Sequence, residues 1–228
     1  MKQPNIIYIL SDDFGWKDLS CYGSDFYETP NLDRLAARGM RFTDAYAACP
    51  VCSPTRASVL SGKYPARLGL TNFIHVKDPG KRDRARLIDA PYVPYLDTKE
   101  KSVAATLRDN GYATWHLGKW HLGESDYWPD KHGFERNVGG CHHGHPPKGY
   151  FAPWEIPTLE EGEEGEYLTD RLTDEAIGLV HENASGDARS FFLNLWFYTV
   201  HTPIQGRPDL VAKYERKARS LGLDRVKT

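Results

Sequence analysis

Asn5-Ile-Ile-Tyr-Ile-Leu10, followed at once by Ser11-Asp12-Asp13, is the stretch that decides the fold. It is short, rich in β-branched residues and apolar on both faces, which predicts a buried strand in the middle of a parallel sheet. Helix and strand signals then alternate. Thr29-Pro30-Asn31 reads as a helix start, with Thr as N-cap and Pro at the first position. Leu32, Leu35 and Ala36 follow at helical spacing, and Gly39 stops the helix. Residues 40–44 are expected to form a further strand. Ser53-Pro54 repeats the helix-start pattern, with Ala57 and Leu60 inward and Gly62 as the stop. An amphipathic helix is predicted over 98–110, with Val103, Ala104 and Leu107 inward, and a strand over 112–117. A helix over 167–181, an aromatic-rich strand over 191–200 and a helix over 207–217 complete the pattern. Residues 72–97 and 124–166 read as long loops, a length that is usually functional or disordered. The alternation predicts an α/β fold, a largely parallel central sheet with helices on both faces. Ligands in such folds gather beyond the carboxyl ends of the strands.

Composition narrows the function. The chain has 228 residues, of which 40% are hydrophobic, enough for the core of one domain or at most two small ones. Against 29 Lys+Arg stand 31 Asp+Glu, a net charge of −2 that gives bulk nucleic-acid binding no electrostatic support. With 9 Phe, 13 Tyr and 6 Trp the chain has too much apolar area to bury for disorder to be expected. No apolar run exceeds Ile6–Leu10, so no transmembrane helix is expected. That run is also too short, and too soon followed by carboxylates, for a secretory signal. The protein is expected to stay in the cytoplasm, or to be periplasmic or secreted if a leader is missing. The 4 cysteines are too few for a disulfide scaffold at this length.

Reactive residue types fall at the expected strand ends. Asp12 and Asp13 follow the first strand, and adjacent carboxylates suit a hard cation such as Ca²⁺ or Mg²⁺, or simply a solvated turn. Gly118-Lys119-Trp120-His121-Leu122-Gly123 follows the second strand and brings a cation and an imidazole together, suited to an anionic group or to a plain surface turn. His201-Thr202-Pro203 follows the aromatic strand. Between them lies Cys52-Ser-Pro-Thr-Arg56, at a helix start where the positive end of the dipole lowers a thiol pKa and favours an oxyanion, with Arg56 in the first turn. Cys49 and Cys52 also form a C-x-x-C, which leaves a redox pair open; zinc would need a second ligand pair, and only the isolated Cys21 and Cys141 remain.

Cys52-Ser-Pro-Thr-Arg56 followed by Leu60-Ser-Gly-Lys63 resembles the signature of the type I sulfatases, members of the alkaline-phosphatase-like superfamily. The resemblance runs from Pro4-Asn5 through Thr29-Pro-Asn-Leu-Asp33 and Gly118–Gly123 to His201-Thr-Pro-Ile204. It implies that Cys52 is oxidised to formylglycine by a sulfatase-maturating enzyme and serves as the nucleophile. Asp12 and Asp13, with the modified Cys52, match Ca²⁺ ligands. Arg56 matches the residue that steadies the aldehyde hydrate. Lys119 and His121 match the sulfate-binding and hydrate-contacting pair, and His201 a substrate-binding His at the leaving-group oxygen. In the implied reaction one hydroxyl of the hydrate attacks sulfur, and the other collapses to the aldehyde and expels sulfate.

Two departures from the pattern matter. A further acidic pair and a Lys that complete the family's metal and sulfate sites lie beyond Thr228, so the resemblance implies an N-terminal part of the catalytic domain over 1–228, weakly active or inactive alone. Cys141-His142-His143-Gly144-His145 stands where relatives carry another polar residue near the sulfate; His143 is expected to contact substrate, with a transition-metal site as the less favoured reading. The expected substrate is a sulfated sugar, polysaccharide or aryl alcohol. The alternatives are a phosphate or phosphonate ester hydrolase of the same superfamily and a non-catalytic fragment. The basic stretch 81–86 reads as a solvated loop.

Overall fold

The computed structural model describes residues 3–75, 87, 90–186 and 188–223. The stretch 81–86 and most of the centre of the 72–97 loop lie outside them.

Four parallel strands form one sheet in the order β1-β4-β2-β3: β1 (Ile6–Leu10), β2 (Ala113–Gly118), β3 (Arg136–Val138) and β4 (Phe191–Trp196). β2 and β4 are buried along their whole length, as mainly apolar strands covered on both faces are. The helices are α1 (Pro30–Arg38), α2 (Cys52–Ser61), α3 (Pro65–Leu68), α4 (Val103–Asp109), α5 (Leu168–Ser185) and α6 (Pro208–Ser220); α2 and α4 pack on one face of the sheet and α5 on the other. Two cores result. On one face Trp115, Leu117, Leu193 and Leu195 pack against Leu168, Leu172 and Ala176 of α5. On the other, Phe192 and Trp196 pack against Ala57 and Leu60 of α2 and Ala104 of α4.

Several sequence expectations are corrected. Among the described residues β1 lies at one end of the sheet rather than in its middle. Ile6, Tyr8 and Leu10 pack on the α2 side, while Ile7 and Ile9, at 54% and 55% exposure, face the side where α5 packs against β2 and β4. The Leu32 and Leu35 stripe of α1 is likewise exposed. Residues 40–44 form no strand; Met40 and Phe42 point outward with no partner strand. α4 starts at Val103 rather than 98, because the Ser102 hydroxyl accepts the Ala105 N–H (2.9 Å) and caps the helix there. The aromatic strand stops at Trp196. The 124–166 region is no open loop. It supplies β3 and buries Tyr150, Trp154, Ile156 and Leu159 in the α5-side core. Its Gly and Pro residues set turns, but its aromatics decide its position.

Candidate active site

Because all four strands run parallel, the residues after β1, β2 and β4 emerge at one edge. Backbone bonds lock these exits together: Asp12 N–H to Thr199 O (2.8 Å), Val200 N–H to Asp12 O (2.7 Å) and Lys119 N–H to Trp196 O (2.8 Å). The turn after β2 depends on Gly118, whose φ is +94° and whose Cα lies so close to Trp196 that an added Cβ would sit 2.0 Å from its carbonyl oxygen. Asp13 and His121 also have positive φ, 56° and 58°. Such backbone is costly for non-glycine residues and concentrates at functional sites.

Beneath this edge lies a buried charge cluster. The Asp12 carboxylate takes Arg56 Nη2 on one oxygen (3.2 Å) and Lys119 Nζ on the other. Arg56 also donates to Lys119 O (2.8 Å) and stacks over the Trp196 ring at 5.0 Å. Both cations are buried, Arg56 at 1% exposure and Lys119 at 0%. Burial pushes the Asp12 carboxyl up, but Arg56 and Lys119 outweigh it and hold it below the ordinary carboxylate range. Burial and then Arg56 pull Lys119 below the ordinary ammonium range, against the attraction of Asp12. Two cationic side chains facing one carboxylate leave a site that an additional anion would neutralise.

Cys52 is the first residue of α2, with Val51 as its cap. The preceding chain is held by a bond from Thr55 Oγ1 to Cys49 O (2.6 Å). Cys52 Sγ lies 3.3 Å from His121 Nδ1, and His121 Nε2 lies 2.8 Å from Ile74 O. A carbonyl can only accept, so Nε2 carries the proton and Nδ1 faces Cys52 as an acceptor. Burial first, then Lys119, pushes His121 down to about 3, which keeps the imidazole neutral. Gly144 packs on this ring, where a Cβ would come within 2.6 Å of Cε1.

Above the pair, a cleft of about 400 Å³ gathers Cys52, His121, Asp13, His143, His145 and His201. Burial, then His142 and His145, lowers His143 to about 4. His201 donates from Nδ1 to Thr202 O (2.8 Å) and turns Nε2 toward Asp13 (3.8 Å). Cys52, His121, His143 and His201 therefore share one opening, while Arg56 and Lys119 lie under it, bound to Asp12. A smaller cleft of about 310 Å³ is lined by Asp12, Asp13, Cys52 and Arg56. The two aspartates supply oxygen donors of the kind Ca²⁺ or Mg²⁺ takes, but far fewer than the 6–8 a Ca²⁺ gathers. Among the described residues no group of three or more His, Cys, Asp or Glu side chains is placed to hold a metal ion, the 141–145 histidines included. Cys49 and Cys52 are both free thiols, as are Cys21 and the buried Cys141.

Sequence reasoning missed the groups that hold the site in place. Ile74 contributes only its carbonyl, which no side-chain pattern reveals. The Tyr150 hydroxyl lies between Tyr198 O (2.6 Å) and His201 O (2.8 Å) and shares its one proton between these two carbonyls, pinning the loop after β4. A glycine between two histidines was the one available sign that backbone approaches a ring at Gly144.

A family model described as Sulfatase matches residues 4–222. The chain belongs to the sulfatase family. Among its sulfatase relatives, N-acetylgalactosamine-6-sulfatase of Canis lupus familiaris is 34% identical over 88% of this chain and 40% of its own length. Arylsulfatase A of Homo sapiens is 41% identical over 60% of this chain and 25% of its own. Among solved structures, Ps i-CgsB in complex with k-i-k-neocarrahexaose superposes with a TM-score of 0.74 and 31% identity, over 94% of this chain and 49% of that one. BT4656 in complex with its substrate D-glucosamine-2-N,6-O-disulfate gives 0.73 and 26%, over 94% and 38%. The sulfatase chain described here thus spans about two-fifths of the length of N-acetylgalactosamine-6-sulfatase. The alkaline-phosphatase-like α/β architecture expected from the sequence agrees with these neighbours.

Proposed function

We propose that residues 1–228 form the N-terminal part of the catalytic domain of a sulfuric ester hydrolase, acting on a sulfated sugar, polysaccharide or aryl alcohol, with Cys52 converted to formylglycine by a maturating enzyme. The observation that carries this reading is the placement of Cys52 and a neutral His121 over the buried Arg56–Asp12–Lys119 cluster. In formylglycine form, residue 52 supplies a hydrated aldehyde, one hydroxyl to attack sulfur and a second whose deprotonation expels sulfate. His121 Nδ1 faces that position as an acceptor, held in this tautomer by Ile74. Arg56 and Lys119 provide the positive charge that a sulfuryl group developing negative charge requires, pre-organised away from water. His201, which lines the same cleft as Cys52 and His121, exchanges a proton with the ester oxygen. His143, on the cleft wall, contacts substrate. Asp12 and Asp13 would hold Ca²⁺, or Mg²⁺, whose charge stabilises sulfuryl oxygens when bound; its other oxygens come from water, substrate or further protein groups. Residues 73–75 and 143–145 line the cleft.

Rates of the full-length form on an aryl sulfate and the matching aryl phosphate test the assignment. Faster sulfate hydrolysis, lost in Cys52→Ala, is expected. Preference for phosphate would move the protein to the phosphate or phosphonate ester hydrolases of the superfamily.

A further inference from the structure

A second cleft, of about 460 Å³, opens beside the Cys52 cleft and shares His201 with it. Its walls are aromatic, including Tyr27, Tyr150, Tyr167 and Tyr214. Three of these hydroxyls are engaged: Tyr150 on Tyr198 O and His201 O, Tyr167 on Gln205 O (3.0 Å), and Tyr214 as acceptor of the Glu28 N–H (3.0 Å). Those three rings are therefore held by their hydroxyls; Tyr150 is buried, and Tyr27, Tyr167 and Tyr214 are the rings that reach the cleft surface. Asp18 and Gln205 border the same space. Asp18 Oδ2 takes the Gly15 N–H and Gln205 Oε1 the Tyr150 N–H, each 2.8 Å. Among the described residues nothing takes Asp18 Oδ1 or Gln205 Nε2, so one acceptor and one donor remain for a ligand. Aromatic faces receive the C–H face of a pyranose, and planar polar side chains receive its hydroxyls. The cleft lining contains Asp18 and no Lys or Arg, which disfavours an anionic occupant.

We propose that this aromatic cleft is a subsite for an unsulfated sugar ring joined to the sulfated one. The proposal rests on the sulfatase reading above. The sulfate ester lies at Cys52, His201 marks the passage between the clefts, and the neighbouring ring stacks beyond it. Each cleft is within the size range of small-ligand pockets, so the two accommodate consecutive rings rather than one.

Ligand-observed saturation-transfer NMR and calorimetry on the full chain test this with three probes. They are a 6-O-sulfated hexosamine, a disaccharide carrying that unit next to an unsulfated hexose, and the same disaccharide sulfated on both rings. The singly sulfated disaccharide is expected to bind about tenfold more tightly than the monosaccharide, as stacking of one ring allows, with saturation on the C–H protons of its unsulfated ring. Tyr27→Ala should erase that advantage and leave monosaccharide binding unchanged. The doubly sulfated disaccharide should bind more weakly than the singly sulfated one, and Asp18→Asn should narrow that gap. Equal binding of monosaccharide and disaccharide, or tighter binding of the doubly sulfated form, overturns the subsite alone. No binding of any sulfated probe overturns the sulfatase reading together with it.

Discussion

Gly118→Ala tests how the sheet edge builds the site. Gly118 ends β2 opposite Trp196 of β4, with φ +94°, and a Cβ there would lie 2.0 Å from Trp196 O and 2.9 Å from its carbonyl carbon. Both atoms belong to the backbone of a fully buried strand, so neither can swing aside. Left-handed backbone costs an alanine ~1–2 kcal/mol. Forcing the carbonyl away adds overpacking of ~1–3 kcal/mol. It also breaks the Lys119 N–H bond to Trp196 O, leaving buried partners unpaired for ~1–3 kcal/mol more. A loss of at least about 3 kcal/mol is expected, a large share of the ~5–15 kcal/mol typical of a folded domain. Gly62→Ala is the control: its φ is +69° but nothing lies within 4 Å of the added Cβ, so it pays for backbone conformation alone. Urea unfolding of both variants, read by tryptophan fluorescence and far-ultraviolet circular dichroism, measures the difference. Free energies of Gly118→Ala and Gly62→Ala within about 1 kcal/mol of one another would refute the close packing on which the Lys119 placement depends.

Further outcomes follow from the same geometry. Gly144→Ala should push the His121 ring off Cys52, and NMR titration should then find its pKa raised from about 3 toward the ordinary 6.5, with unchanged circular dichroism. Tyr150→Phe removes the hydroxyl from Tyr198 O and His201 O and should cost about 1–3 kcal/mol in urea, with sharper loss at His201-dependent steps than at binding of free sulfate. His116 and His121 are both held near 3 by burial, so between about 3 and 6.5 the unfolded chain binds more protons than the folded one. Stability should therefore be full above 6.5 and fall as the pH drops below it, by up to about 1.4 kcal/mol per pH unit for each histidine. A urea midpoint that stays flat from pH 7 to pH 5 would contradict this. Cys52→Ala should abolish turnover in the mature enzyme yet leave unfolding within about 1 kcal/mol, since the half-buried thiol makes one side-chain hydrogen bond.

Strand and helix type were legible wherever periodicity was long. The β4 and α5 patterns are strong because their apolar residues face a core along most of their length. β1 shows the limit. Five apolar residues look the same at the centre of a sheet and at its end, since composition reports what a strand can bury and not what covers it. Residues 124–166 failed for the opposite reason: Gly, Pro and His read as loop, whereas Tyr150, Trp154 and Ile156 form core through contacts with residues far away in sequence. At the site, strand-end logic drew Asp12, Lys119, His121 and His201 to one edge, and Cys52 joined them through the resemblance of its segment. The Asp12 pairing with both Arg56 and Lys119 was not legible, because it depends on where α2 crosses the sheet edge. Nor was the His121 tautomer, which a backbone carbonyl sets.

The central claim is that Cys52 becomes the nucleophile of a sulfatase. Peptide mass spectrometry of the segment around Cys52, on protein produced with a sulfatase-maturating enzyme and assayed on an aryl sulfate, measures it directly. A Cys52 peptide lighter than the cysteine form, reactive with carbonyl reagents and increasing in proportion to sulfate release, is the predicted result. Sulfate release from protein whose Cys52 remains an unmodified thiol, or forms a reversible disulfide with Cys49, would contradict it.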